Sequence, residues 1–226
     1  MRVLLLGAPG VGKGSQAVSI SKKLGIPHIS TGDIFRENIA QQTPIGLMVK
    51  EYMVKGMLVP DELTVQIVTE RLAREDCKNG FVLDGFPRTV QQASSLDGLL
   101  EKMNAKLDMV INLFLDDSRI ISRILGRVVC SQCGEVYHVE AKPPQFAGRC
   151  DNCEGFLYQR EDDSVETIEN RLRIYHQQTK PVVDYYSGTT KMAVVESCHD
   201  MRDTMAAVFL ALGIDMSTNA EQSCTG

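Results

Sequence analysis

The 226-residue chain is 43% hydrophobic, enough for a full core in one domain carrying insertions or in two small ones. A net charge of −5 and a pI near 5.4 exclude a basic surface for gripping nucleic acid or an anionic membrane, so any phosphate affinity must be local and small charged ligands are favoured. Met1 leads at once into a predicted strand and no apolar run reaches membrane-spanning length, so a cytosolic protein with neither signal nor membrane partner is expected.

That strand, Val3-Leu4-Leu5-Leu6, runs into Gly7-Ala8-Pro9-Gly10-Val11-Gly12-Lys13-Gly14-Ser15, and a helical pattern follows over 16–24. Strand, glycine-rich turn and helix start together read as a phosphate-binding loop. Residues without Cβ let several backbone N–H groups converge on one anion, and the helix N-terminus adds partial positive charge. Lys13 is placed to bridge the outer phosphates of a nucleoside triphosphate. The general pattern has Ser or Thr directly after that lysine; here Gly14 stands there and the hydroxyl comes at Ser15.

A short extended run, Ile26 through Ser30, is followed by Ser30-Thr31-Gly32-Asp33, whose oxygens suit helix caps, and a helix is predicted from Ile34. Thr31 and Arg36 then either hold one anion together or form a capped helix with a solvated arginine. A second short helix is predicted within 43–58, ending at Gly56, and Pro60-Asp61 opens the next. Phe81-Val82-Leu83-Asp84 is a strand closing on an acid where doubly wound folds place ligands, with Gly85 and Arg88 just beyond. Asp84 suits the aspartate that orders magnesium's water shell, and Arg88 a bidentate phosphate contact; a capping aspartate and a surface arginine are the plainer alternative. Gln91 and Gln92 open a helix, and an amide offers the donor and acceptor needed to read a base edge.

Met109 through Leu115 is a further buried strand, and strands alternating with helices predict a parallel sheet covered on both faces. A helix over 117–126 carries Arg119 and Arg123, with Arg127 one turn on. These are predicted to share a face that binds phosphate, because Asp116 and Asp117 cannot neutralise all three. From Gly126 to about Asp163 the composition shifts to Cys, Pro and Gly, marking an inserted subdomain. Cys130-x2-Cys133 and Cys150-x2-Cys153, sixteen residues apart, match two zinc knuckles closing on one structural Zn²⁺. Cys77, Cys198 and Cys224 read as inert thiols. A long helix over 166–178, limited by Pro181, carries Arg171 and Arg173; a last strand over 192–196, a helix over 201–212 and a fraying polar end over 217–226 complete the chain.

The loop with Gln16, the Ser30-Thr31-Gly32-Asp33 stretch, Leu83-Asp84-Gly85-Phe86-Pro87-Arg88, Gly126-Arg127-Val128, Glu135-Val136-Tyr137-His138 and Tyr175-His176-Gln177 resemble, in their order, the motifs of adenylate kinase in its long form with a zinc-bearing lid. The resemblance spans nearly the whole chain. It implies an α/β fold, a P-loop doubly wound five-stranded parallel sheet flanked by helices. The core would comprise residues 1–29, 60–126 and 164–226, with a small helical AMP-binding lobe at 30–59 and a zinc-stapled lid at 127–163. The implied reaction is reversible transfer of the γ-phosphoryl group of Mg-ATP to AMP, giving two ADP and serving adenine nucleotide homeostasis, by a cytoplasmic monomer.

By position, Gly10, Val11, Gly12, Lys13, Gly14 and Ser15 would cradle the ATP phosphates. Arg119 and the Val136-Tyr137 pair would flank the ATP adenine, with Arg127 also on the ATP side. Thr31, Arg36, Leu58, Val59, Gly85, Arg88 and Gln92 would hold AMP. Arg123, Arg160 and Arg171 would close on the moving phosphate, Arg160 and Arg171 also meeting AMP, with Asp162 and Asp163 in the hinge region. Lys13, Arg88, Arg123, Arg160 and Arg171 are then the catalytic set, Asp84 lies in magnesium's second shell, and Cys130, Cys133, Cys150 and Cys153 hold Zn²⁺.

Two departures from the family's wording stand out. Ser15 takes a position often held by Thr, and Phe35 replaces a more usual Leu beside the AMP pocket. Around Cys198 and His199 the match is poor, and no adenine contact is carried over there. Another nucleoside monophosphate kinase is the near rival. A zinc-knuckle nucleic-acid binder using nucleotide as a switch is the distant one, opposed by the acidic balance and the lack of aromatics on a basic face.

Overall fold

A computed structural model describes residues 1–188, 190–198 and 200–215. His199, Cys224 and the polar end over 217–226 therefore lie outside the described residues. The order begins β1 (Arg2–Gly7), α1 (Lys13–Leu24), β2 (His28–Ser30), α2 (Thr31–Ala40), α3 (Pro44–Val54) and α4 (Asp61–Leu72). It continues with β3 (Phe81–Asp84), α5 (Val90–Lys102), β4 (Met109–Phe114) and α6 (Asp117–Leu125). After β5 (Arg127–Cys130), β6 (Val136–His138) and β7 (Leu157–Tyr158) come α7 (Val165–Ile174), α8 (Lys180–Ser187), β8 (Met192–Glu196) and α9 (Met201–Ala211).

Five strands form one parallel sheet in the order β2-β3-β1-β4-β8. Alternate residues of β1 serve opposite faces: Val3 and Leu5 pack with Val11, Ala17, Ile20 and Ile168, whereas Leu4 and Leu6 pack with Val68, Phe86, Leu96 and Tyr186. Both faces are thus dry, which explains why the strands read as unbroken apolar runs. The chain leaves β1 toward β2 and leaves β3 toward β4, in opposite directions across the sheet. Their adjacent carboxyl ends therefore make a topological switch point, where such sheets open a crevice.

Two excursions flank that crevice. Residues of α2, α3 and α4 gather around Phe35, Val49, Val59 and Ile67. The Cys-rich insertion forms an antiparallel sheet in the order β6-β5-β7, with Cys130, Tyr137 and Cys150 as its buried centre. That small centre suits a lobe stapled by something other than apolar burial. Among the described residues no helix is long and apolar enough to cross a membrane.

Three local readings need correction. Helix α2 begins at Thr31 rather than Ile34, because Ser30 is the cap and its Oγ accepts from Asp33 N–H at 3.2 Å. Helix α1 begins at Lys13, since Gly12 in a left-handed conformation turns the chain straight into it. Pro181 does not limit the helix before it. A π-helical turn over Tyr175–Thr179 carries the chain from α7 into α8, and Pro181 falls in the first turn of α8, where its missing N–H has no partner to lose.

Candidate active site

The crevice floor is the loop after β1. Gly10 and Gly12 have φ of 78° and 106°, values a side chain rarely tolerates, and a Cβ on Gly10 would lie 2.5 Å from Ile124 Cγ1. Val11 is buried, while Gly14 and Ser15 open α1 half-buried. Lys13 Nζ donates to the carbonyls of Gly7 and Ala8 at 2.7 and 2.8 Å. Burial lowers its pKa to about 8; Asp84 opposes that fall, and Arg88, Arg127 and Arg171 add to it.

Asp84 ends β3 opposite Leu5 on one side and Ser30 on the other. Its carboxylate lies 3.5 Å from where a Gly14 Cβ would stand, so the acid borders the loop. Burial pushes its pKa up, but the His28 imidazole and the Lys13 charge together pull it below the ordinary value. His28 Nε2 is 3.7 Å from Asp84 Oδ2. That neighbour went unnoticed in the sequence, although His28 sits two residues before Ser30 on the adjacent strand, and period-two alternation puts them on one face.

Arginines converge from other elements. Arg88 Nε donates to Gly85 O at 2.7 Å, and Thr31 Oγ1 donates to the same carbonyl at 2.8 Å. Burial and the neighbouring Arg171 lower the Arg88 pKa to about 10, and burial with Arg36 and Arg127 does the same to Arg160. Both stay charged at neutral pH. Arg36 pairs with Asp33 at 2.6 Å and reaches Asp162 at 4.0 Å; Arg160 reaches Asp33 at 3.8 Å. Arg171 pairs with Asp162 and lies 3.8 Å from Asp163, which also receives Arg127. Asp33 and Asp162 are both held below the usual carboxylate range, burial opposing and the arginines prevailing. Six cations, Lys13, Arg36, Arg88, Arg127, Arg160 and Arg171, thus face four carboxylates, Asp33, Asp84, Asp162 and Asp163. The excess is positive in a crevice floored by backbone donors, which is what a polyphosphate requires.

The arginine row expected on one face divides in the structure. Arg119 and Arg123 lie on α6, but Arg127 opens β5 and is occupied by Asp163. Arg123 reaches behind the loop to Val11 O at 3.4 Å, to Ser197 Oγ at 2.7 Å and to Cys198 O. Arg119 stands 3.9 Å from Glu196. Apart from Val11, their partners come from β8 and the residues after it, far along the chain from the neighbouring acids Asp116 and Asp117. Val136 is half-buried, and the Tyr137 ring turns into the centre of its own lobe, its hydroxyl accepting from Asp151 N–H at 2.8 Å.

On the other side of the crevice, half-buried Leu58 and buried Val59 lie between α3 and α4, and Phe35 is buried against Val49 and Val59. Gln92 lies in the first turn of α5 with its amide engaged by Arg88 N–H and by Asp61. In the sequence Asp61 signals only a helix start.

In the small lobe, Cys130, Cys133, Cys150 and Cys153 bring their sulfurs within 4.8 Å of one another, with the 130–153 and 133–150 pairs at 3.5 Å. A tetrahedron of Zn–S bonds about 2.3 Å long has edges of about 3.8 Å, so the four cysteines fit a zinc site. His138 is turned away, its Nδ1 accepting from Glu140 and Ala141 N–H at 3.1 Å.

The family model described as adenylate kinase matches residues 5–191. An adenylate kinase of Caldicellulosiruptor bescii is 53% identical over 215 residues, covering 95% of this chain and all of that relative. One of Clostridioides difficile is 52% identical, covering 94% and 99%, and one of Carboxydothermus hydrogenoformans is 50% identical with the same coverage.

Proposed function

The chain belongs to the adenylate kinase family and transfers phosphoryl groups between adenine nucleotides; on that premise we propose that its donor is Mg-ATP, its acceptor AMP, and its product two ADP in a reaction that runs both ways. The observation that carries this reading is the excess of cations around the loop, gathered from the core and both excursions. Transfer between two polyanions needs their repulsion neutralised and their reacting oxygens aligned more than it needs a covalent nucleophile.

Gly10 through Ser15 cradle the donor phosphates, and Lys13 leaves the Gly7 and Ala8 carbonyls to meet them. Arg119, Arg127 and the Val136-Tyr137 edge take the donor nucleoside side. The acceptor lies against Thr31, Arg36, Leu58, Val59, Gly85, Arg88 and Gln92, and Arg88, Arg123, Arg160 and Arg171 stabilise the phosphoryl group in flight. Asp84, an acid bordering the loop, fits Mg²⁺ through its waters, with phosphate oxygens as the direct ligands. When bound, Mg²⁺ neutralises charge on the transferring group.

Residues 1–29, 60–126 and 164–226 act as the core, 30–59 as the acceptor lobe and 127–163 as the lid. Closure of the two excursions excludes water, so the donor is not simply hydrolysed. The protein works as a cytoplasmic monomer without a nucleic-acid or membrane partner, in keeping with its acidic balance. ADP formation from Mg-ATP with AMP, CMP, UMP and GMP in parallel tests this. AMP is expected to be the best acceptor, and faster turnover of any other would replace the reading.

A further inference from the structure

The amide of Gln92 is fixed by the protein on both ends. Gln92 is 2% exposed, its Nε2 donates to Asp61 Oδ1 at 2.6 Å, and its Oε1 accepts from the backbone N–H of Arg88 at 2.7 Å. Asp61 belongs to the first turn of α4, a different element. Its second oxygen, Oδ2, accepts from Thr89 Oγ1 at 2.7 Å, and Thr89 Oγ1 in turn caps α5 by accepting from Gln92 N–H at 3.1 Å. The carboxylate is therefore itself held in place.

A carboxylate only accepts and a backbone N–H only donates. One orientation of the amide satisfies both. Turning it over would set Oε1 against the Asp61 carboxylate and Nε2 against the Arg88 N–H, two like-against-like contacts in a buried place. A primary amide has two N–H donors and two strong lone pairs, so one donor and one acceptor remain for a ligand.

We infer that Asp61 is a specificity-determining positioning residue: by holding the Gln92 amide in one orientation, it makes the acceptor site select a purine with an amino group at C6 over one with a keto group. This rests on the proposed reading that Gln92 meets the acceptor base. A 6-aminopurine presents an N–H donor at N6 beside an acceptor at N1, and the spare Oε1 lone pair and Nε2–H answer them. A 6-oxopurine presents an acceptor at O6 beside an N1–H donor, and needs the amide turned over. Asn at position 61 offers both a donor and an acceptor, which satisfies either orientation and leaves only the Arg88 N–H opposing the turn.

The test is kcat/KM for AMP and for IMP with Mg-ATP in the wild type, in Asp61→Asn, and in Glu62→Gln, which removes a charge from the same helical turn. Asp61→Asn is isosteric, and the ratio of two acceptors on one preparation does not depend on how much of it is folded. The wild type is expected to prefer AMP, Asp61→Asn to lose about tenfold of that preference, and Glu62→Gln to keep it. An unchanged ratio in Asp61→Asn, beside a wild type that prefers AMP, overturns the inference and leaves the role of Gln92 standing. Equal loss in both variants also overturns it, as an effect of charge at the helix end. A wild type indifferent to the C6 group overturns the reading of Gln92 and the inference with it.

Discussion

Arg127 and Asp163 join the two ends of the Cys-rich lobe: Arg127 Nε donates to Asp163 Oδ2 at 2.9 Å and Nη2 to Oδ1 at 2.5 Å. Arg127 opens β5 and Asp163 stands just before α7, so this bidentate pair closes the neck through which the insertion leaves and re-enters the core. The Asp163 side chain is fully buried. Removing one partner of such a pair strands the other charge, which destabilises by about 3–5 kcal/mol, whereas replacing both with apolar groups restores much of the loss. Asp163→Asn should therefore lower the unfolding free energy by about that amount, and Arg127→Met with Asp163→Leu should lower it less. Denaturant titration of the three proteins decides it; a single variant within about 0.5 kcal/mol of wild type would mean that the neck is held by something else.

The zinc site should govern the stability of its lobe and leave the chemistry of the crevice alone. Four thiolates fill a tetrahedral ion and leave no open position. Cys150→Ser, or mild chelation, should release metal, lower the melting temperature and increase proteolysis within 127–163, with turnover falling only as the lobe loosens. Metal content, melting and rate measured on the same sample check this. Loss of turnover with an unchanged melting curve would assign the metal to catalysis.

Gly85 lies against two residues of the proposed acceptor site, Thr31 and Arg88. At φ of 79°, a Cβ there would lie 3.0 Å from Thr31 Oγ1 and 3.1 Å from Arg88 Nη2. Gly85→Ala should raise the KM for AMP about tenfold or more, through backbone strain of about 1–3 kcal/mol and the displaced arginine, while the KM for ATP moves little. Equal changes for both substrates would contradict the assignment.

The pKa of Lys13, lowered to about 8 by burial first, carries a pH signature. In the free enzyme the charge proposed to meet the donor is lost as pH rises through about 8, so kcat/KM for ATP should fall on that alkaline limb. Bound phosphates favour the charged form, so kcat should stay level to higher pH. For stability the sign is opposite. Between the folded value of about 8 and the ordinary 10.5, the unfolded chain holds the proton that the native state has released, so this group's contribution to stability rises with pH across that window. A kcat/KM profile flat to pH values well above 8 would show Lys13 to be an ordinary lysine.

Local signals made much of this legible in the sequence. The loop, the Asp84 strand end and the cysteine spacing each lie within a few residues, and the alternation of apolar runs with helical periods was enough for the parallel sheet. Partners distant in sequence were not legible. Arg127 looked free because Asp163 is remote along the chain, and Arg123 because Ser197 and Cys198 arrive with the last strand. Pro181 looked like a stop because the sequence does not announce that a π-helical turn precedes it. Asp61 looked like a helix opener, and its bond to Gln92 needs the packing of α4 on α5. The family resemblance sets the Val136-Tyr137 pair beside the donor adenine but says nothing of the Tyr137 ring, which fills the small lobe's own centre.

The most direct test of the account is the charge at Lys13, measured as the initial rate of ADP formation from Mg-ATP and AMP in Lys13→Met. Fixed cations aimed at developing phosphate charge typically contribute about a hundredfold or more to rate, and among the described residues Lys13 Nζ hydrogen-bonds two loop carbonyls. The expected result is a rate lower by that factor, with a melting temperature within about 4 °C of wild type. A folded Lys13→Met protein that forms ADP at a near-normal rate would contradict the claim that this loop and its surrounding cations carry the transfer.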